Sequence, residues 1–79
     1  MNITIYSKSN CPNCESAKAL LDSKGLRYAE IDVEMDHERM QSLRQLYPDA
    51  KQMPQVFIDG QRVGGFAGLR VALNQVELL

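Results

Sequence analysis

Apolar and polar positions alternate from the start: Ile3 and Ile5 are interleaved with Asn2, Thr4 and Tyr6. A period of two in a β-branched run predicts a strand over 2–6. From Pro12 to Lys24 the period lengthens. Cys14, Ala17 and Leu21 recur at helical spacing with Leu20 alongside, while Glu15, Lys18 and Asp22 fall opposite. The spacing predicts an amphipathic helix that Pro12 opens and Gly25 closes at the C′ position. Alternation returns over Arg27–Val33, a second strand whose Tyr28 or Ile31 side packs on that helix. A strand, helix and strand within about thirty residues form a βαβ unit, with parallel strands and a right-handed crossover. Asp36 is placed to cap a second helix whose apolar stripe is Met40, Leu43, Leu46 and Tyr47, ending before Pro48. After a short polar loop, Pro48–Gln52, the compact strand Gln55–Ile58 leads through Asp59-Gly60 into the return strand Gln61–Val63, an antiparallel hairpin. Gly64-Gly65 turns the chain sharply, and Leu69, Ala72, Leu73 and Val76 share one face of a last helix.

Composition narrows this α/β pattern to one expected domain, 1–79, since 79 residues lie near the lower limit for a self-sufficient core. Apolar residues are 44% of the chain, enough to build that core without metal or disulfide staples. A net charge of -1 with no dense Lys/Arg cluster argues against nucleic-acid binding and against an electrostatic membrane anchor. The opening run turns polar at Ser7, too soon for a signal-peptide core or a membrane span, so a cytoplasmic location is expected. In a reducing compartment a close cysteine pair is more often catalytic or metal-binding than a permanent staple.

The only two cysteines, Cys11 and Cys14, stand three apart between the first strand and the first helix. That placement points to a redox dithiol. With Pro12 in the first turn, Cys11 lies at the helix start, where unpaired N–H groups and the helix dipole favour a negative sulfur. Lys8 adds a cation three residues earlier, and both effects lower a thiol pKa from about 8.5 towards neutrality. Cys11 is therefore the expected nucleophile. Cys14, one turn on and deeper, is the expected resolving thiol. A structural zinc site wants four ligands, and the one histidine, His37, sits in the charged run Asp36–Arg39 as a solvated surface residue; no metal site is expected.

Three landmarks, in order, carry a resemblance: Cys11-Pro12-Asn13-Cys14 after the first strand, Met53-Pro54-Gln55-Val56-Phe57 before the hairpin, and Gly64-Gly65-Phe66 before the last helix. Over essentially its whole length the chain resembles a dithiol glutaredoxin of the thioredoxin superfamily, similar to small phage and bacterial members. The resemblance implies a thioredoxin-like fold, βαβ-α-ββ-α, with a four-stranded mixed sheet flanked by three helices. It implies a thiol–disulfide oxidoreductase with glutathione as co-substrate and no tightly bound cofactor. A cis Met53–Pro54 bond beside the dithiol is implied in the same way; on its own, Pro54 reads rather as a trans turn proline at a strand start. The Met53 backbone would pair with a substrate peptide like an added strand. By the same likeness, Lys8, Pro12, Asn13, Lys51 and Gln52 would line the glutathione groove, and the Gly65-Phe66-Ala67 backbone would receive the γ-glutamyl carboxylate. From the residues alone, Phe66 reads as core packing, Met53 as a gap-filler, and Lys51 and Gln52 as plain loop residues.

The chain departs from the family pattern twice. Asn13 stands where an aromatic residue is usual, and Ala67-Gly68 where an acidic residue usually holds the glutathione ammonium. The implied partners are disulfide-bearing proteins, ribonucleotide reductase among them, with either glutathione and glutathione reductase or thioredoxin reductase as the electron source. The implied protein is a monomer. Two other readings share these residues: a [2Fe–2S] carrier ligated by the first cysteine and external glutathione, and an adaptor that binds a protein in the same groove without turnover.

Overall fold

The computed structural model describes residues 1–77, and side chains as far as Gln75. In chain order the elements are β1 (Ile3–Ser7), α1 (Pro12–Ser23), β2 (Ala29–Asp32), α2 (His37–Leu46), β3 (Gln55–Ile58), β4 (Gln61–Gly64) and α3 (Phe66–Glu77). The described residues thus form three helices and a mixed four-stranded sheet of order β2-β1-β3-β4, the expected thioredoxin-like α/β arrangement. β1 runs parallel to β2, with Thr4 opposite Ala29, and antiparallel to β3, with Ile5 opposite Val56.

The strand period divides the apolar residues between two cores. Ile3, Ile5 and Val56 point to one face, where Ala17 and Leu21 of α1 and Leu69 and Leu73 of α3 close over them. On the opposite face Tyr6 and Phe57 pack with Leu43 of α2, Ala50, Met53 and the two cysteines. β1 is covered on both sides because a helix layer lies on each. Tyr28, not Ile31, is the β2-side residue packed against the first core.

The helix ends follow their local signals. The Asp36 carboxylate accepts the Arg39 N–H at 3.0 Å and caps α2, and Gly25 takes φ +67° after α1. Two expectations need correction. β2 is shorter than 27–33: pairing with β1 starts at Ala29, and Val33 already lies in the turn that leads to α2. Leu46 is no part of the α2 stripe, being 74% exposed. Met40, Leu43 and Tyr47 lie together on the helix, and Leu46 is rotated about 100° from Tyr47, out of the layer. The side chain of Val76, expected on the inner face of α3, lies outside the described side chains. At the hairpin a register shift puts Val56 opposite Gly64 and Phe57 opposite Arg62, so Val63 bulges towards α3.

Candidate active site

β1 ends at Ser7 and releases the chain into a loop in which Asn10 adopts φ +52°, a left-handed conformation Asn tolerates. That turn sets Cys11 as the N-cap of α1 and Pro12 as its first helical residue. The Cys11 sulfur accepts the Cys14 N–H at 3.2 Å, and the Cys11 carbonyl accepts the Glu15 N–H at 3.1 Å. A sulfur thus occupies the place a Ser or Asp oxygen usually takes at a helix start. The two cysteines are joined as a disulfide with Cα atoms 5.2 Å apart. Cys14 is fully enclosed, whereas Cys11 keeps 7% exposure, so Cys11 is the sulfur-bearing residue a partner can reach.

Cys11 opens onto a groove of about 470 Å³. One wall is Lys8, Asn10, Pro12 and Asn13; the other is Lys51, Gln52 and Met53. Every wall residue expected from Lys8 to Met53 is therefore brought together, and Asn10 joins them. The two lysines are the only charged residues among those lining the groove. The Met53–Pro54 peptide is cis, and the Met53 carbonyl oxygen lies 3.4 Å from the Cys11 sulfur, where a reduced thiol could donate to it. Gly65, Phe66 and Ala67 do not line this groove. Gly65 lies against the Pro54 carbonyl, 3.5 Å from where a Cβ would stand. Phe66 packs on the first core with the Arg70 guanidinium 5.7 Å from its ring, and Ala67 is exposed one residue into α3.

Two residues with no advance signal hold these walls. The Glu34 carboxylate accepts the Ser9 N–H at 2.9 Å, tying the β2–α2 turn to the dithiol loop. The Ser9 backbone N–H, the Ser9 side chain and the Lys8 charge together keep Glu34 below its usual carboxylate range. Gln55, only 6% exposed, donates to the Gln52 carbonyl at 2.8 Å and accepts from Arg62 Nε at 3.1 Å, fixing the far wall. The Glu34–Ser9 and Gln55–Arg62 contacts join separate elements, so no local motif announces them. His37 is exposed, with its Nε2 3.0 Å from the Glu34 carbonyl oxygen. Among the described residues, no three His, Cys, Asp or Glu side chains are grouped to hold a metal ion, and no helix is long and apolar enough to cross a membrane.

The family model for glutaredoxin matches residues 3–63. Glutaredoxin 3 of Escherichia coli strain K12 is 38% identical over 64 residues, covering 81% of this chain and 76% of that protein. The glutaredoxin of a buckwheat glutaredoxin–glutathione complex superposes with a TM-score of 0.80 at 28% identity, over 96% of this chain and 71% of the other. NrdH-redoxin from Escherichia coli, a glutaredoxin-like protein with a thioredoxin-like activity profile, superposes at 0.79 with 26% identity, over 92% and 93%. The fold superposes on both solved structures, and the family match spans the helix-start Cys11–Cys14 pair and the Met53–Pro54 bond that faces it. The chain belongs to the glutaredoxin family of thiol–disulfide oxidoreductases.

Proposed function

We propose that the Cys11 thiolate is the attacking group on protein disulfides and on glutathione mixed disulfides. The observation that carries this is the position of Cys11 as the N-cap of α1, with the Cys14 N–H directed at its sulfur and the sulfur at the open groove. A thiolate there gains a charge-assisted hydrogen bond and the positive helix end, and Lys8 and Lys51 add cations along the same walls. Attack on a substrate disulfide forms a Cys11–substrate bond and expels the other substrate sulfur as thiolate, which takes up a proton. Cys14 then gives up its proton and attacks the Cys11 sulfur. The intramolecular disulfide forms, and the second substrate thiol leaves reduced. Two electrons pass to the target, and the dithiol becomes the disulfide.

Glutathione is the proposed co-substrate, and two glutathiones restore the dithiol by the reverse chemistry. Its two carboxylates suit the two lysines of the groove and, beyond the groove lining, the α3 start at Phe66. No side-chain carboxylate stands at Ala67-Gly68 for its ammonium, so a flavoprotein reductase of the thioredoxin type is a second electron source. Likeness to a redoxin with a thioredoxin-like activity profile supports that route. Ribonucleotide reductase is the proposed protein target on family grounds, in a reducing cytoplasm, with the protein acting as a monomer and Pro54 and Met53 presenting the substrate strand.

The test compares turnover of one mixed disulfide with glutathione plus glutathione reductase against turnover with thioredoxin reductase. Cys11→Ser should abolish both. Cys14→Ser should abolish protein-disulfide reduction and leave glutathione mixed-disulfide reduction in place. A Cys11→Ser protein that still turns over either substrate overturns the assignment.

A further inference from the structure

Resting on the dithiol groove just described, we infer that this groove continues past Lys51 into a second one that takes an acidic, extended segment of the protein substrate. The second groove is lined by Arg44, Pro48, Ala50 and Lys51, so Lys51 belongs to both. Among the described residues neither Arg44 nor Lys51 has a carboxylate partner. The acid that could cancel them is Asp49, in the same loop. It is turned away: its two oxygens accept from Arg62 Nη1 and Nη2 at 3.0 and 3.1 Å. A fork–fork pair of this kind fixes the direction of the carboxylate and leaves the outer side of the loop cationic.

On the other side of the dithiol loop the charge has the opposite sign. Around the β2–α2 turn, Asp32 at the end of β2, the cap Asp36 and Glu38 of α2 line a hollow with His37, next to Glu34, while Glu30 beside them is paired with Lys18. A chain held at Cys11 and extended along Met53 therefore meets cations in one direction and carboxylates in the other. An acidic segment is drawn towards Arg44 and repelled from Asp32 and Asp36; a basic segment is drawn the other way. Pro48 and Ala50 give the second groove an apolar floor, which an extended backbone with acidic side chains at alternate positions can cover. Arg44 also lies in the last turn of α2, where a cation offsets the helix dipole. That local task is indifferent to the charge of a substrate, so substrate charge separates the two roles.

The experiment is single-turnover reduction by protein pre-reduced with dithiothreitol and desalted, which makes it independent of the cellular reductant. Three oxidants are compared: a disulfide peptide with acidic flanks, the same peptide with basic flanks, and the small disulfide of 2-mercaptoethanol. Arg44→Glu should lower the second-order rate constant for the acidic peptide roughly fivefold or more, in line with the rate effect of reversing a rim charge. It should leave the small disulfide unchanged and the basic peptide unchanged or faster. Added salt should erase the difference between the peptides in the unaltered protein. Equal effects of Arg44→Glu on both peptides, or none on either, would overturn the acidic-segment inference while the dithiol reading stands. An unaltered protein that fails on the small disulfide removes the dithiol reading itself.

Discussion

At Gly68 the space, rather than the backbone angle, excludes a side chain. A Cβ there would lie 1.9 Å from the Val63 carbonyl oxygen and 3.0 Å from its carbon, and both are backbone atoms of the bulge in β4. In an exposed helix Gly→Ala gains about 1 kcal/mol, but overpacking against a fixed carbonyl costs about 1–3 kcal/mol, so the clash should win. Gly68→Ala should therefore lower the urea midpoint; a raised midpoint would show that α3 lifts freely off β4. The same contact limits where the acidic residue of the family pattern could stand. An acidic residue cannot enter at 68 without moving α3, whereas Ala67 beside it is exposed and open to one. Ala67→Asp should lower the KM for glutathione roughly two- to fivefold, the size of one exposed ion pair, and leave the rate with a small disulfide unchanged. Equal KM values in a glutathione reductase-coupled assay would place the glutathione ammonium elsewhere.

Among the elements, α2 shows what a sequence states locally and what it does not. Its start is written in Asp36, whose carboxylate accepts the Arg39 N–H. Asp36→Ala should cost about 1 kcal/mol in chemical denaturation. A loss below about 0.3 kcal/mol would mean that packing of Leu43, not the cap, holds the first turn. Its apolar face was legible only in part. Met40, Leu43 and Leu46 fit a helical period as well as Met40, Leu43 and Tyr47 do, and only the sheet beneath decides. Tyr47 packs against Phe57 with the rings tilted and their centroids 5.5 Å apart, and carries the Arg62 guanidinium 5.0 Å above it, so it takes the inner place. Leu46→Gln should accordingly change stability by less than about 0.5 kcal/mol. The first strand, both hairpin strands and the dithiol loop were legible because their signals are local: alternation, Asp59-Gly60, and Pro12 after Cys11. The onset of β2 at Ala29 was not, since pairing with β1 sets it, and neither were the ties at Glu34 and Gln55.

Across the whole molecule, carboxylates tie together elements that the two cores leave free to slide. Glu30 on β2 accepts from the Ser7 hydroxyl of β1 at 2.6 Å and from Lys18 of α1 at 3.0 Å, Glu34 holds the dithiol loop, and Asp49 holds β4 through Arg62. All three are held below their ordinary values: Glu30 by the Ser7 hydroxyl and then Lys18, Glu34 by the Ser9 N–H, Asp49 by Arg62. A carboxylate whose folded pKa is depressed contributes stability that is present above its unfolded value and lost as pH falls through the folded one. The ordinary values here are 4.5 for the two glutamates and 3.8 for the aspartate, so the melting temperature should hold near neutrality and fall progressively below about pH 4.5. Lys18 is shifted the opposite way, raised by its bonds to Glu30 and Glu15, and its contribution persists at every lower pH until Glu30 itself is protonated. Glu30→Gln isolates the charge, because a glutamine oxygen still accepts the buried Ser7 hydroxyl. The variant should melt lower at pH 7 and show a smaller drop between pH 7 and pH 3 than the unaltered protein. If the two drops are equal, the tie between β1, β2 and α1 is steric, and acid sensitivity resides at the dithiol loop and the β4 edge instead.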